Sequence, residues 1–222
     1  MGGLGYRKED FYMKEFEYVS KKEYQPIKNE VIELLNLVQD EVRDKFTFRY
    51  DFIGSVDRNM VTRQVDGNEG YDFDVNLRVN DEDEEFSASE IKHILMDGFN
   101  AHSEKYEHDF SEDSKRVITI KVKDKKNSRI LHSCDFAVVY DCEDGRQQFI
   151  YFNKNQNTYE WQFQPKGFYQ LPEKVEAIKE NGLWQEVRDV YLEKKCNNTD
   201  PKKKSRSIYA ETVNQIYNKY FN

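Results

Sequence analysis

The sequence predicts an α+β protein: a mixed sheet flanked by helices, closed by a C-terminal helical layer. Three observations predict it. Apolar residues recur at helical spacing before and after a block of short alternating segments. The alternating segments carry the turn signals of strands, at Gly67-Asn68-Glu69-Gly70 and Asp144-Gly145. From Pro172 the pattern returns to a helical period. The 222 residues suit one compact domain, or a sheet domain with a helical addition. Residues 1–23 show no clean period and read as an arm or a short first helix. A core is expected over 24–170, and a helical segment over 171–222.

The elements follow in order. From Tyr24, the positions Ile27, Val31, Leu34, Leu35, Val38, Val42 and Phe46 make one helical stripe, with Pro26 placed in the first turn. In Thr47–Ile53, Phe48, Tyr50 and Phe52 alternate with Thr47, Arg49 and Asp51, the period of a half-buried strand. Residues Arg58 to Gly70 read as a polar insert. Asp72–Val79 is a second alternating strand. Ser87 and Glu90 form a capping-box pattern ahead of Ile91, Ile94, Leu95 and Phe99, so a helix is expected from Ser87 to Lys105. Val117–Val122 and Arg129–Tyr140 read as strands, and Phe149–Phe152 with Tyr159–Phe163 as a hairpin. Leu183, Val187, Val190 and Tyr191 make one late helical stripe. Ile208, Val213, Ile216, Tyr217 and Tyr220 make another.

Composition narrows the function classes. Hydrophobic residues are 37% of the chain, but 15 Tyr and 15 Phe are among them, so aromatics carry much of the core. No apolar run approaches the roughly 20 residues that span a bilayer, and Met1–Tyr12 lacks the apolar stretch of a secretory leader. Cys134, Cys142 and Cys196 form no CxxC pair, which suits a reducing cytoplasm better than a disulfide framework. His93, His102, His108 and His132 have no metal-binding spacing. The net charge of −8 disfavours a passive nucleic-acid binder. Within it, Asp81–Glu85 reads as a solvated acidic loop, and Lys194–Arg206 as a basic stretch.

The chemistry concentrates between Phe52 and Val79. Gly54-Ser55 precedes a strand carrying Asp72 and Asp74, which as i and i+2 share a face roughly 6 to 7 Å apart. Such carboxylates can share a pair of divalent metals roughly 3.5 to 4 Å apart. A Gly-Ser turn admits a polyphosphate close to backbone N–H groups. Asp135 lies in an apolar strand, before Phe136, Ala137, Val138 and Val139. Burying it there without a partner costs several kcal/mol, which a metal or a cation such as Arg129 would offset. The combination suggests metal-assisted attack on a nucleoside triphosphate.

Gly-Ser, Asp-x-Asp on a strand, and one Asp on a later strand resemble the DNA polymerase β-like nucleotidyltransferases, nearest in look to the oligoadenylate and cyclic-dinucleotide synthase branch. The resemblance covers residues 24–163 and, more loosely, 172–222. The gap from Ser55 to Asp72 is longer than the family's usual one. The resemblance implies transfer of a nucleoside monophosphate from an NTP, ATP favoured, to a hydroxyl acceptor, with release of pyrophosphate. Asp72, Asp74 and Asp135 would hold Mg²⁺ or Mn²⁺. Gly54 and Ser55 would cradle the phosphates, and Lys194 or Lys195 with Ser207 would contact the triphosphate tail. The bland reading of Lys194, Lys195 and Ser207 is an ordinary interhelical loop. Lys202, Lys203 and Lys204 offer a third reading, an RNA contact. Tyr151, Tyr159 and Trp161 could stack a base, though aromatics on strands are more often core.

Three rival readings stand beside this one. A glycosyltransferase using Asp72-Phe73-Asp74 needs more upstream chain than is present. A catalytically inactive member of the same fold could bind nucleotide or RNA. A structural protein could simply solvate its acidic strand.

Overall fold

The structure, a computed structural model, describes residues 14–68, 70–81, 84–165 and 171–221. Most of the expected N-terminal arm, Glu69 of the Gly67–Gly70 turn, and Glu82 and Asp83 of the acidic loop lie outside these. The elements run β1 (Phe16–Tyr18), α1 (Lys21–Val42), β2 (Thr47–Ile53), α2 (Gly54–Asp57), β3 (Thr62–Gln64), β4 (Tyr71–Asn80), α3 (Ala88–Ala101), β5 (Glu112–Asp113), β6 (Ile118–Asp124), β7 (Arg129–Asp141), β8 (Gln147–Asn153), β9 (Thr158–Phe163), α4 (Leu171–Glu180), α5 (Trp184–Cys196) and α6 (Ser205–Phe221). The described residues fall into two compact units, one within 17–169 and the other within 1–16 and 170–222.

The larger unit is built on a seven-stranded sheet in the order β2-β4-β7-β6-β5, with β8 on β7 and β9 on β8. β4 and β7 run parallel, and every other pair in the sheet is antiparallel. One face of the sheet is the core. Tyr71, Phe73, Val75, Leu77 and Val79 of β4 are all buried, and the residues between them are not. Leu34, Leu35 and Val38 of α1 and Ile91, Leu95 and Phe99 of α3 join them in one apolar cluster. Phe99 stacks on Phe136 with ring centroids 4.4 Å apart. Each such side chain contributes about 1.5–3 kcal/mol by leaving water. α1 and α3 approach closely at Gly98, where a Cβ would stand 3.1 Å from Cγ1 of Val38.

Local signals explain the helix starts. Ser20 caps α1, its hydroxyl accepting from the Glu23 N–H at 3.3 Å. The helix therefore begins before Tyr24, and Pro26 lies inside it instead of in its first turn. Pro26 is tolerated on the exposed side, where water can satisfy the carbonyl of Lys22. The capping box at Ser87 and Glu90 opens α3 as the sequence indicates, but α3 ends at Ala101, short of Lys105.

The insert after α2 departs from the sequence reading. Met60 and Val61 are buried at 2% and 1% exposure, and β3 pairs with β1, so the stretch is part of the packed structure. Tyr159 and Trp161 pack against the core cluster, in line with their bland reading.

The second unit holds α4, α5 and α6. Gly182, at φ +71°, ends the first of these helices, and Leu183 becomes the N-cap of α5. Ile178, Val187, Tyr191, Ile208, Val213 and Ile216 are buried. Lys219 of α6 pairs with Glu186 of α5 at 2.7 Å.

Candidate active site

The polar face of β4 presents Asp72 and Asp74 in turn, because the alternate residues Tyr71, Phe73 and Val75 are claimed by the core. The parallel register sets Asp74 directly opposite Asp135 of β7, and Asp72 opposite Ser133. Adjacent strands lie about 4.8 Å apart, so three carboxylates share one patch of one face. On the other flank of β4, Ile53 of β2 pairs with Asp74, and the chain turns into α2 at Gly54.

Gly54 sits at φ +68°, the left-handed region that favours glycine. A Cβ there would stand 2.3 Å from Oδ2 of Asp74. The glycine is therefore required twice, by its backbone conformation and by the closeness of the carboxylate. Ser55 follows it in α2, and its carbonyl accepts from the Met60 N–H at 2.7 Å.

Each outer carboxylate has a hydroxyl partner. Ser133 donates its hydroxyl to Oδ1 of Asp72. Thr119, on β6 and paired with Asp135, donates to Oδ1 of Asp135 at 2.6 Å. Arg129 does not serve Asp135; it pairs with Asp124 at 3.2 Å, because it stands at the far end of β7.

The electrostatics follow from burial and crowding. Burial first, then the charges of Asp135 and Asp72, push the Asp74 carboxyl up to about 6, with Arg58 opposing. Burial also raises Asp135, against the hydroxyl of Thr119 and the charge of Lys121. The buried Cys134 thiol of β7 is raised by burial and by the same carboxylates. His132, stacked on Tyr71, is driven down to about 4 by burial and is a neutral ring at pH 7.

As placed, no three Asp, Glu, His or Cys side chains converge on one point among the described residues. The hydroxyls of Ser133 and Thr119 each occupy one oxygen of an outer carboxylate. The donor set still suits a hard cation, being carboxylate oxygen throughout. Asp74, whose charge its surroundings oppose, is the group a cation would most relieve.

The sheet thus brings together Asp72, Asp74, Asp135 and Gly54, with Ser55 next in the chain. Lys194 and Lys195 lie in the last turn of α5, and Ser207 in the first turn of α6, in the other unit. Sequence reasoning missed Ser133 and Thr119. Ser133 was legible as the i−2 neighbour of Asp135; Thr119 becomes visible only through the β6–β7 pairing.

This sheet and its flanking helices share the fold of solved structures that are nucleotide cyclases by description. The solved structures that share it include Vibrio cholerae DncV. Its GTP-bound form aligns at a TM-score of 0.57 and 17% identity, over 87% of this chain and 52% of that one. The 3′-deoxy ATP form aligns at 0.55 and 17%, with the same coverage. A structure described as the DncV cyclic AMP-GMP synthase, a prokaryotic cGAS homolog, aligns at 0.63 and 12%, over 95% of this chain and 70% of that one. The chain spans about half the length of the nucleotide-bound DncV chains. No family model matches the sequence, and no curated protein matches it. No helix among the described residues is long and apolar enough to cross a membrane.

Proposed function

We propose that this protein is a metal-dependent nucleotidyltransferase, moving a nucleoside monophosphate from an NTP to a hydroxyl acceptor with release of pyrophosphate. The observation that carries the reading is the facing of Asp74 and Asp135 across the parallel strand pair, with Asp72 on the same face and Gly54 against Asp74. The likeness of the fold to DncV, solved with GTP and with 3′-deoxy ATP, supports an NTP as donor.

Asp72, Asp74 and Asp135 would hold Mg²⁺ or Mn²⁺, which when bound neutralises charge on the triphosphate and activates the attacking oxygen. Gly54, lacking a side chain, lets the Asp74 carboxylate stand directly against the turn whose backbone N–H groups would face the phosphates. Ser55 offers a hydroxyl and a backbone N–H to the β and γ phosphates. Asp135 accepts the proton of the acceptor hydroxyl, a role its raised pKa suits. Ser133 and Thr119 orient the outer carboxylates until ligands engage them. Lys194, Lys195 and Ser207 are the candidates for the triphosphate tail. ATP is the favoured donor, and three free thiols suit a reducing cytoplasm.

Catalysis of this kind is positioning plus charge neutralisation, so binding must depend on both metal and carboxylates. A thermal-shift titration with each NTP, with and without Mg²⁺, tests it. Stabilisation that needs both, and that Asp72→Ala/Asp74→Ala loses, is expected. At 100 times Kd the stabilisation amounts to about 2.7 kcal/mol. NTP stabilisation that is equal in the variant would remove the carboxylates from the site.

A further inference from the structure

In-line transfer places the attacking oxygen opposite the leaving pyrophosphate. With the phosphates at Gly54 and Ser55, on the β2 side of Asp74, the acceptor must reach Asp135 from the β6 and β5 side. The register shows what stands there. Asp74, Asp135, Thr119 and Glu112 form one row across β4, β7, β6 and β5. Asp72, Ser133 and Lys121 form the next row on the same face.

These two rows hold four carboxylates and one cation. The Lys121 Nζ stands 2.7 Å from both carboxylate oxygens of Glu112. Neither side chain is buried, at 25% and 49% exposure, so the pair can open at small cost. Lys121 also acts electrostatically on Asp135, as Glu112 does in the opposite sense. The step along β6 from Thr119 to Lys121, roughly 6 to 7 Å, is comparable with the span from a sugar hydroxyl to a phosphate on the same sugar.

A phosphate-bearing acceptor entering here meets repulsion from every carboxylate and attraction from Lys121 alone within these rows. We propose that Lys121 is the acceptor-specificity residue: it leaves Glu112 to hold an anionic group, a phosphate, on the acceptor while the acceptor's hydroxyl faces Asp135. This rests on the nucleotidyltransferase reading. It selects phosphorylated acceptors over neutral ones carrying the same hydroxyl.

The test uses the whole chain with saturating labelled ATP and Mg²⁺, varying adenosine 5′-monophosphate or adenosine as acceptor. Lys121→Met, Lys121→Arg and, as a charge control, Lys126→Met in the β6–β7 turn are compared with wild type. Lys121→Met is expected to raise the KM for the phosphorylated acceptor about tenfold, the worth of one charge-assisted hydrogen bond. The KM values for adenosine and for the donor should stay, Lys121→Arg should recover most of the loss, and Lys126→Met should change nothing. An equal effect of Lys121→Met on both acceptors, or none on either, overturns the proposal. Absence of turnover in wild type would instead count against the transferase reading. Equilibrium dialysis of the same variants with labelled adenosine 5′-monophosphate and adenosine then decides on Lys121. A preference for the monophosphate lost in Lys121→Met supports the anion site, and an absent or unchanged preference refutes it.

Discussion

Asp74 is a carboxyl in surroundings that oppose its charge, and this has a measurable sign. Its folded-state pKa, about 6, lies above the ordinary 3.8. The folded protein therefore binds the proton more tightly than the unfolded chain, and the associated stability is complete below about pH 4. It is lost as pH rises through about 6. With metal chelated, unfolding should become easier across that window, by about 1–2 kcal/mol after allowing for solvent around the carboxyl. Asp74→Asn should flatten the profile, and urea titrations from pH 4 to 7.5 would show it. An unchanged profile in the variant would mean that Asp74 is not the titrating group. Gly54 makes a second prediction at this scale. Gly54→Ala imposes a left-handed alanine and drives a methyl into Asp74. It should cost about 1–2 kcal/mol from backbone conformation alone, and it should lower activity further than that loss of stability explains. Wild-type activity in Gly54→Ala would separate Gly54 from the site.

At the scale of elements, what was legible depended on how far apart the partners lie in sequence. The alternation of Phe48, Tyr50 and Phe52, and of Phe73, Val75, Leu77 and Val79, revealed β2 and β4 with the faces they turn to the core. The Ser87–Glu90 capping box revealed the start of α3. All are local patterns. β1, β3 and β5 are two or three residues long and exist through pairing, so a period cannot reveal them. Arg129 suits Asp135 by charge, whereas the register gives that place to Thr119. Lys92 shows a signal that was present and unread. It falls four residues after Ala88 and three before Leu95, on the buried stripe of α3. The side chain is 1% exposed; its Nζ stands 2.7 Å from Oδ1 of Asp113 and donates to the Ser114 carbonyl at 2.7 Å. Asp113 also accepts the hydroxyl of Tyr159, so β5 and β9 are tied to α3 through one buried charge pair. Lys92→Ala should cost about 3–5 kcal/mol by stranding Asp113. Lys92→Met with Asp113→Asn should cost much less, a comparison that chemical denaturation makes directly. Equal losses in the two would mean that packing, not charge, holds the strand.

For the whole molecule, the net charge of −8 weighs against long nucleic acids as partners, because binding to polyanions draws on basic contacts. The three carboxylates were legible because Asp-x-Asp and a lone strand Asp are local signals. Their common face and the supporting hydroxyls required the sheet order. In the proposed function, the Asp74–Asp135 pair, with Asp72, performs nucleotidyl transfer. The direct measurement is pyrophosphate release from each labelled NTP with Mg²⁺ or Mn²⁺, wild type beside Asp72→Ala/Asp74→Ala, with the products separated. Metal-dependent release and a labelled adduct, both lost in the variant, are expected. Release that persists in the variant, or no release from wild type with any NTP, metal and offered acceptor, would contradict the proposed function.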